Sequence, residues 1–140
     1  MKKTLKSTIL VMLSLLMCLA SMPVYATESE NQIMPRLSHM ADASFSFDAT
    51  SSVGYISADY TGYSSSFVSA RLTVTVEKRF LWAFWNDVGT WTATSTDIHG
   101  IFEHEMPLNG SGTYRATFVL EVTGTDGTVD VVDGVIENKT

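Results

Sequence analysis

Two segments of this chain alternate apolar and polar residues so regularly that they predict half-buried β-strands. They are Val68–Glu77 and Tyr114–Thr123. Successive side chains of a strand point to opposite faces, so each segment has one apolar face for a core and one face for solvent. The residues predicted to be buried are Val68, Ala70, Leu72, Val74 and Val76 in the first segment, and Tyr114, Ala116, Phe118, Leu120 and Val122 in the second.

Shorter stretches of the same period predict further strands. One begins at Phe45, and the others cover Val53–Tyr60, Thr90–Thr96, Ile98–Met106 and Val129–Ile136. They are rich in β-branched and aromatic residues, and none has a helical period. About seven short strands in two antiparallel sheets are typical of an immunoglobulin-like or fibronectin-like sandwich. The predicted fold is therefore all-β.

Glycines and asparagines indicate where these strands turn. Asn86–Gly89 predicts a turn, and Asp126-Gly127 predicts the bend of a hairpin over Thr123–Thr128. Leu108 and Tyr114 enclose two glycines, a spacing similar to the tyrosine corner of such sandwiches. In that motif the tyrosine hydroxyl binds backbone just upstream, so we expect Tyr114 to do the same.

The first 26 residues predict a cleavable secretory signal peptide. Three lysines in the first six residues precede the apolar run Ile9–Ala20, and Pro23 ends it. The expected cleavage follows Ala26 and leaves Thr27 as the new N-terminus. A membrane anchor is the rival hypothesis, but spanning a bilayer takes about 20 apolar residues and this run is shorter. A lipid anchor on Cys18 is a second rival, disfavoured by the bulky Met17 before it.

Cleavage would leave an extended lead-in over residues 27–43 and a single sandwich domain over residues 44–140. The only cysteine of the chain would be removed, so the product is expected to be free of disulfides. It would keep six basic and fifteen acidic residues, a formal charge of −9. Such a charge should repel nucleic acid and anionic membranes. We therefore expect an extracellular protein that neither binds nucleic acid nor inserts into a membrane.

Two polar clusters could carry chemistry if their side chains converged. On a strand, His99, Glu103 and Glu105 share one face while His104 lies on the other, which separates the two histidines. Asp126, Asp130 and Asp133 lack the spacing of a calcium loop, and the adjacent glycines suit turns. We predict no catalytic residue, no metal site and no cofactor. An enzyme using His99, Glu103 and Glu105 remains an open alternative.

Aromatic residues provide the candidate binding site. Phe80–Trp85 contains no polar residue, which breaks the alternation, and Trp91 follows. Either these side chains cover the end of the sandwich, or some of them form an exposed row. Exposed apolar surface often marks a binding site, and tryptophan suits both sugars and protein pockets. Trp82, Trp85 and Trp91 are therefore the candidate binding residues.

The arrangement of several short motifs resembles a family of small secreted β-sandwich proteins of unknown function from Gram-positive bacteria. The motifs are Met34-Pro35-Arg36, Glu77-Lys78, Gly89-Thr90-Trp91-Thr92 and Gly112-Thr113-Tyr114-Arg115-Ala116. The resemblance implies the fold class and export, and it supplies no functional residues. The Phe80–Trp85 run is more aromatic than is typical of the family.

The sequence thus predicts a secreted, non-catalytic binding module whose ligand, a glycan or a protein, is not specified. Two alternatives stay open. One is a secreted effector, such as a bacteriocin-like protein or an enzyme inhibitor, and the other is a structural domain without a ligand.

Overall fold

The protein is described here by a computed structural model that covers residues 37–140. The predicted signal peptide, its cleavage site and the Met34-Pro35-Arg36 motif lie outside the described residues. Within residues 37–140 there is no helix, and seven β-strands follow one another. They are β1 (Met40–Ala49), β2 (Val53–Gly62), β3 (Phe67–Phe80), β4 (Phe84–Ser95), β5 (His99–Pro107), β6 (Thr113–Gly124) and β7 (Val129–Lys139). The first strand therefore begins inside the predicted lead-in.

The seven strands form two antiparallel sheets. One sheet has the order β1-β2-β5 and the other the order β4-β3-β6-β7. Packed face to face, they make a β-sandwich, which confirms the predicted all-β fold. The fourth strand pairs with β3, whereas in constant-type immunoglobulin domains it joins the sheet of the first two strands.

The core lies between the sheets and is built from the alternating residues of the central strands. On β3 and β6 the inward side chains are fully buried: Ala70, Leu72, Val74 and Val76, and Tyr114, Ala116, Phe118, Leu120 and Val122. Phe47, Ile56 and Phe102 supply the opposite side from the smaller sheet. Among residues 37–140, all buried core residues lie within residues 40–122. We therefore expect Thr27–Thr140 to fold without the first 26 residues.

The prediction that Val68 is buried is wrong. Its side chain is 45% exposed. The pairing of β3 with β6 shifts between Phe67 and Ser69, which marks a β-bulge. A bulge adds one residue to one strand, so side chains on either side of it no longer follow a single alternation.

The predicted turn at Asn86–Gly89 is also wrong. β3 continues to Phe80, a three-residue turn covers residues 81–83, and β4 begins at Phe84. Asn86–Gly89 lies inside β4, where Glu77 pairs with Asp87 and the next pair joins Val76 to Gly89. Val88 is the extra residue of a bulge. The residues that favour turns therefore form a β-bulge within a strand.

The tyrosine corner is confirmed. The Tyr114 hydroxyl donates a hydrogen bond of 2.6 Å to the carbonyl oxygen of Gly110, and the Tyr114 side chain is fully buried. Gly110 has a φ of 74°, a conformation that favours glycine. The bond satisfies a phenol that would otherwise be buried without a partner.

Replacing Tyr114 by Phe removes this bond without opening a large cavity. We expect the free energy of unfolding to fall by about 1 kcal/mol, the usual net value of one hydrogen bond. Urea denaturation would measure it. Tyr55→Phe is the matched control because Tyr55 is 47% exposed. Equal effects of the two substitutions would contradict a specific role for the Tyr114 hydroxyl.

His39 attaches the start of the domain to the β6–β7 hairpin. Its backbone N–H donates to Asp130 Oδ2 at 2.6 Å, and its Nε2 lies 2.6 Å from Thr128 Oγ1. Its ring is buried against Gly124, where any side chain would collide with it. Asp126 accepts from the Thr128 backbone N–H at 2.9 Å, as expected of a turn aspartate. The predicted hairpin bend at Asp126-Gly127 is confirmed.

The Thr128 contacts make Asp126 a useful reporter of this hairpin. Its pKa is below the ordinary value of 3.8, first because of the Thr128 backbone N–H and then because of the Thr128 hydroxyl. A lowered pKa means that the ionised carboxylate stabilises the fold above its unfolded-state pKa, and that this contribution is lost as pH falls through the folded-state pKa.

Thr128→Val removes the hydroxyl donor and should raise the pKa of Asp126 toward its ordinary value. NMR titration of the Asp126 carboxyl carbon would measure the shift. Thr94→Val, a hydroxyl deletion on an exposed part of β4, should leave this pKa unchanged. An unaltered pKa in Thr128→Val would show that the hydroxyl does not contribute.

Candidate functional site

The aromatic run forms the end of the β3–β4 hairpin. We call residues 80–84 the hairpin tip. Phe80 and Phe84 are the last cross-strand pair, and the turn lies between them. The exposed fractions are 54% for Phe80, 67% for Leu81, 88% for Trp82 and 63% for Phe84. Residues 80–84 are therefore exposed in the structure and do not cover the end of the sandwich.

The backbone of the tip has an unusual conformation. Leu81 has a φ of 53°, in the left-handed region that residues with a branched side chain rarely adopt. Glycine or asparagine would occupy this position at lower cost. An apolar residue held there, with two thirds of its surface exposed, contributes little to the core. Such outliers concentrate at functional sites, which supports a binding role for the tip.

Trp85 forms the base of the tip on the outer face of the larger sheet. The guanidinium carbons of Arg79 and Arg115 lie 4.7 and 4.2 Å from its ring centroid. Arg115 also binds Glu77 at 2.6 Å, and Arg79 binds Glu137 at 2.9 Å. These cation–π contacts and ion pairs fix the ring in place. Trp85 is therefore a support of the tip and not a free stacking platform.

Trp91 lies on the other side of the sheet from Trp85. It is opposite Val74, packs on the core, and stacks on His104 with 4.5 Å between ring centroids and 6° between planes. The bulge at Val88 is the reason, because without it residues 85 and 91 would lie on the same face. The structure thus brings Trp82 and Trp85 to one end of the domain and separates Trp91 from them.

Sequence reasoning missed a group of cations near the tip. Of the five basic residues in the described chain, only Arg71 lies elsewhere, while Lys78, Arg79, Arg115 and Lys139 lie at this end of the larger sheet. Lys78 Nζ binds the backbone oxygen of Asn109 and lies 5.2 Å from the Tyr114 ring centroid. Only the register of β3, β6 and β7 brings these residues together, so no local motif could have revealed them.

The predicted separation of the polar cluster on β5 is confirmed. Glu103 and Glu105 lie on the outer face, while His104 faces Trp91. A shallow depression of about 520 Å³ near them is bordered by Asp48 and Tyr55 as well. Among the described residues, no three metal-binding side chains converge. None of residues 37–140 belongs to a helix long and apolar enough to cross a membrane.

No protein-family model matches the chain, and no curated protein sequence matches it. The distinctive features of this end of the domain are the exposed hairpin tip, its base at Trp85 and the adjacent cations.

Tryptophan-to-phenylalanine variants test the arrangement of the three indoles. Trp85→Phe with Trp91→Phe leaves only Trp82 among the described residues, and its emission should be red-shifted and readily quenched by acrylamide. Trp82→Phe should leave blue-shifted emission with weaker quenching, because Trp85 and Trp91 are partly buried. Blue-shifted, poorly quenched emission from Trp82 alone would contradict the exposed tip.

Proposed function

We propose that this protein is a secreted, non-catalytic binding module that contacts its ligand through the hairpin tip. The observation that carries the proposal is the 88% exposure of Trp82 between other exposed apolar side chains. Contiguous exposed apolar surface is costly for a soluble domain and usually marks an interaction site. Export is supported by the lysines and the apolar run at the start of the sequence.

The construction of the tip supports binding. Binding costs less conformational entropy when the protein surface that contacts the ligand is already rigid. Here the tip extends from two paired strands, and the contacts of Trp85 with Arg79 and Arg115 hold its base. Tryptophan and arginine are also the residues that most often dominate binding energy in protein interfaces.

Among the ligands expected from the sequence, a protein fits better than a glycan. Several exposed indole faces side by side would favour a sugar-binding platform, whereas here Trp85 is covered by arginines and Trp91 packs on the core. A narrow apolar projection suits an apolar cleft in another protein. A secreted enzyme inhibitor, or another secreted effector that binds a protein, would be an example of such a binding module.

Binding to intact cells of the producing organism is a direct test. Purified Thr27–Thr140 should sediment with the cells. Trp82→Ser should weaken this binding by at least about tenfold, since a hot-spot tryptophan contributes about 2 kcal/mol or more. Protease treatment of the cells should abolish binding if the ligand is a protein.

Val135→Ser is the matched control. Val135 is 57% exposed and lies on β7, away from the tip, so this variant should bind like the wild type. Retained binding to protease-treated cell walls would identify a glycan instead. Equal binding by Trp82→Ser and the wild type would contradict the proposal.

A further inference from the structure

The sandwich has four edge strands, and they are not equally protected. The smaller sheet ends in β1 and β5, and the larger sheet ends in β4 and β7. An edge strand presents a row of backbone N–H and C=O groups that can pair with another strand. Charged side chains are one of the devices that prevent such pairing. The four edges differ in the charges that they carry.

Only β4 has a long uncharged stretch. The nine residues from Val88 to Thr96 contain no acidic or basic side chain, and eight of them belong to β4. The charged residues of the other edges are Asp42 and Asp48 on β1, Glu103 and Glu105 on β5, and Asp130, Asp133, Glu137 and Lys139 on β7.

β7 is also covered by the rest of the domain. Asn138 Nδ2 donates to the Phe47 carbonyl at 3.4 Å, Asp130 accepts from His39, and Phe45 packs on Gly134. Side chains of β5 contact β4 on its inner face, where His104 stacks on Trp91, but no such hydrogen bonds are found at β4, and β4 and β5 are not hydrogen-bonded to each other within the described residues. The open edge of the sandwich is therefore β4.

We propose that a second copy of this chain pairs antiparallel with β4, about a two-fold axis near Thr92. When two identical strands pair antiparallel about a two-fold axis, a strand that carries charges of one sign brings them near the same charges of its partner. Like charges directly opposite each other destabilise the pairing. The uncharged stretch of β4 avoids this. In this register only uncharged residues from Val88 to Thr96 pair with one another. Asp87 would lie opposite Asp97 of the second copy, but Asp97 lies beyond the end of β4 at Ser95.

The side chains suit this register on both faces. On the outer face, Thr92 would meet Thr92 of the second copy, and Thr90 would meet Thr94. Threonine pairs of this kind already join β3 to β4, with Oγ1 atoms 3.4 Å apart for Thr73–Thr92 and 3.1 Å for Thr75–Thr90. Such cross-strand threonine pairs stabilise the pairing of neighbouring strands. On the inner face, the large Trp91 would meet the small Ala93 of the second copy.

Sedimentation velocity of Thr27–Thr140 over a range of concentrations tests the proposal. The wild type should show a concentration-dependent equilibrium between monomer and dimer. Thr92→Lys places two like charges opposite each other at the axis and should raise the dissociation constant by at least about tenfold. Thr94→Lys should also weaken the dimer, because it lies on the same face of the same strand.

Val135→Lys is the matched control, because it adds the same charge on the same outer face at the opposite edge. It should dimerise like the wild type. All variants should keep the β-sheet circular dichroism of the wild type, which separates loss of pairing from loss of folding. A wild type that stays monomeric at all concentrations, or a dimer disrupted only by Val135→Lys, would overturn the proposal.

Discussion

The pairing of β3 with β6 at the centre of the larger sheet is the interaction on which the rest of the domain depends. Their inward side chains are fully buried, and one of them, Tyr114, also ties the loop before β6 through Gly110. The described residues contain no cysteine, so no disulfide assists this core. Both neighbouring strands, β4 and β7, are positioned by pairing with these two. The hairpin tip extends from β3, so the pairing of β3 with its neighbours also positions the tip.

A single inserted residue determines how the aromatic side chains are distributed. The bulge at Val88 changes which face of the sheet the odd-numbered residues of β4 occupy. Before it, Trp85 lies outside between two arginines, and after it Trp91 lies inside against His104. One part of β4 therefore supports an exposed surface, while the other closes the core. Continuous alternation would have placed both indoles on the same face.

Local patterns predicted the fold class, the buried residues of β6 and the tyrosine corner, because each depends on neighbours in sequence. The same reasoning failed at Val68 and at Asn86–Gly89, where bulges interrupt the alternation. The aromatic composition of Phe80–Trp85 identified this segment as unusual, but only the structure shows which of its side chains are exposed. The cations near the tip were beyond prediction because Lys78, Arg115 and Lys139 are distant in sequence and meet only through strand register. Turn propensity alone does not distinguish a hairpin from a bulge.

The two proposed surfaces constrain each other. β4 begins at the hairpin tip and runs away from it through the uncharged stretch. Antiparallel pairing about Thr92 would therefore point the two tips in opposite directions. With a rise of about 3.3 Å per residue, each tip would lie about 30 Å from the axis. Such a dimer could not place both tips on one flat surface. It would instead bridge two separate partners. Each tip would then have to bind its partner by its own affinity, because the gain in avidity from a shared surface would be absent.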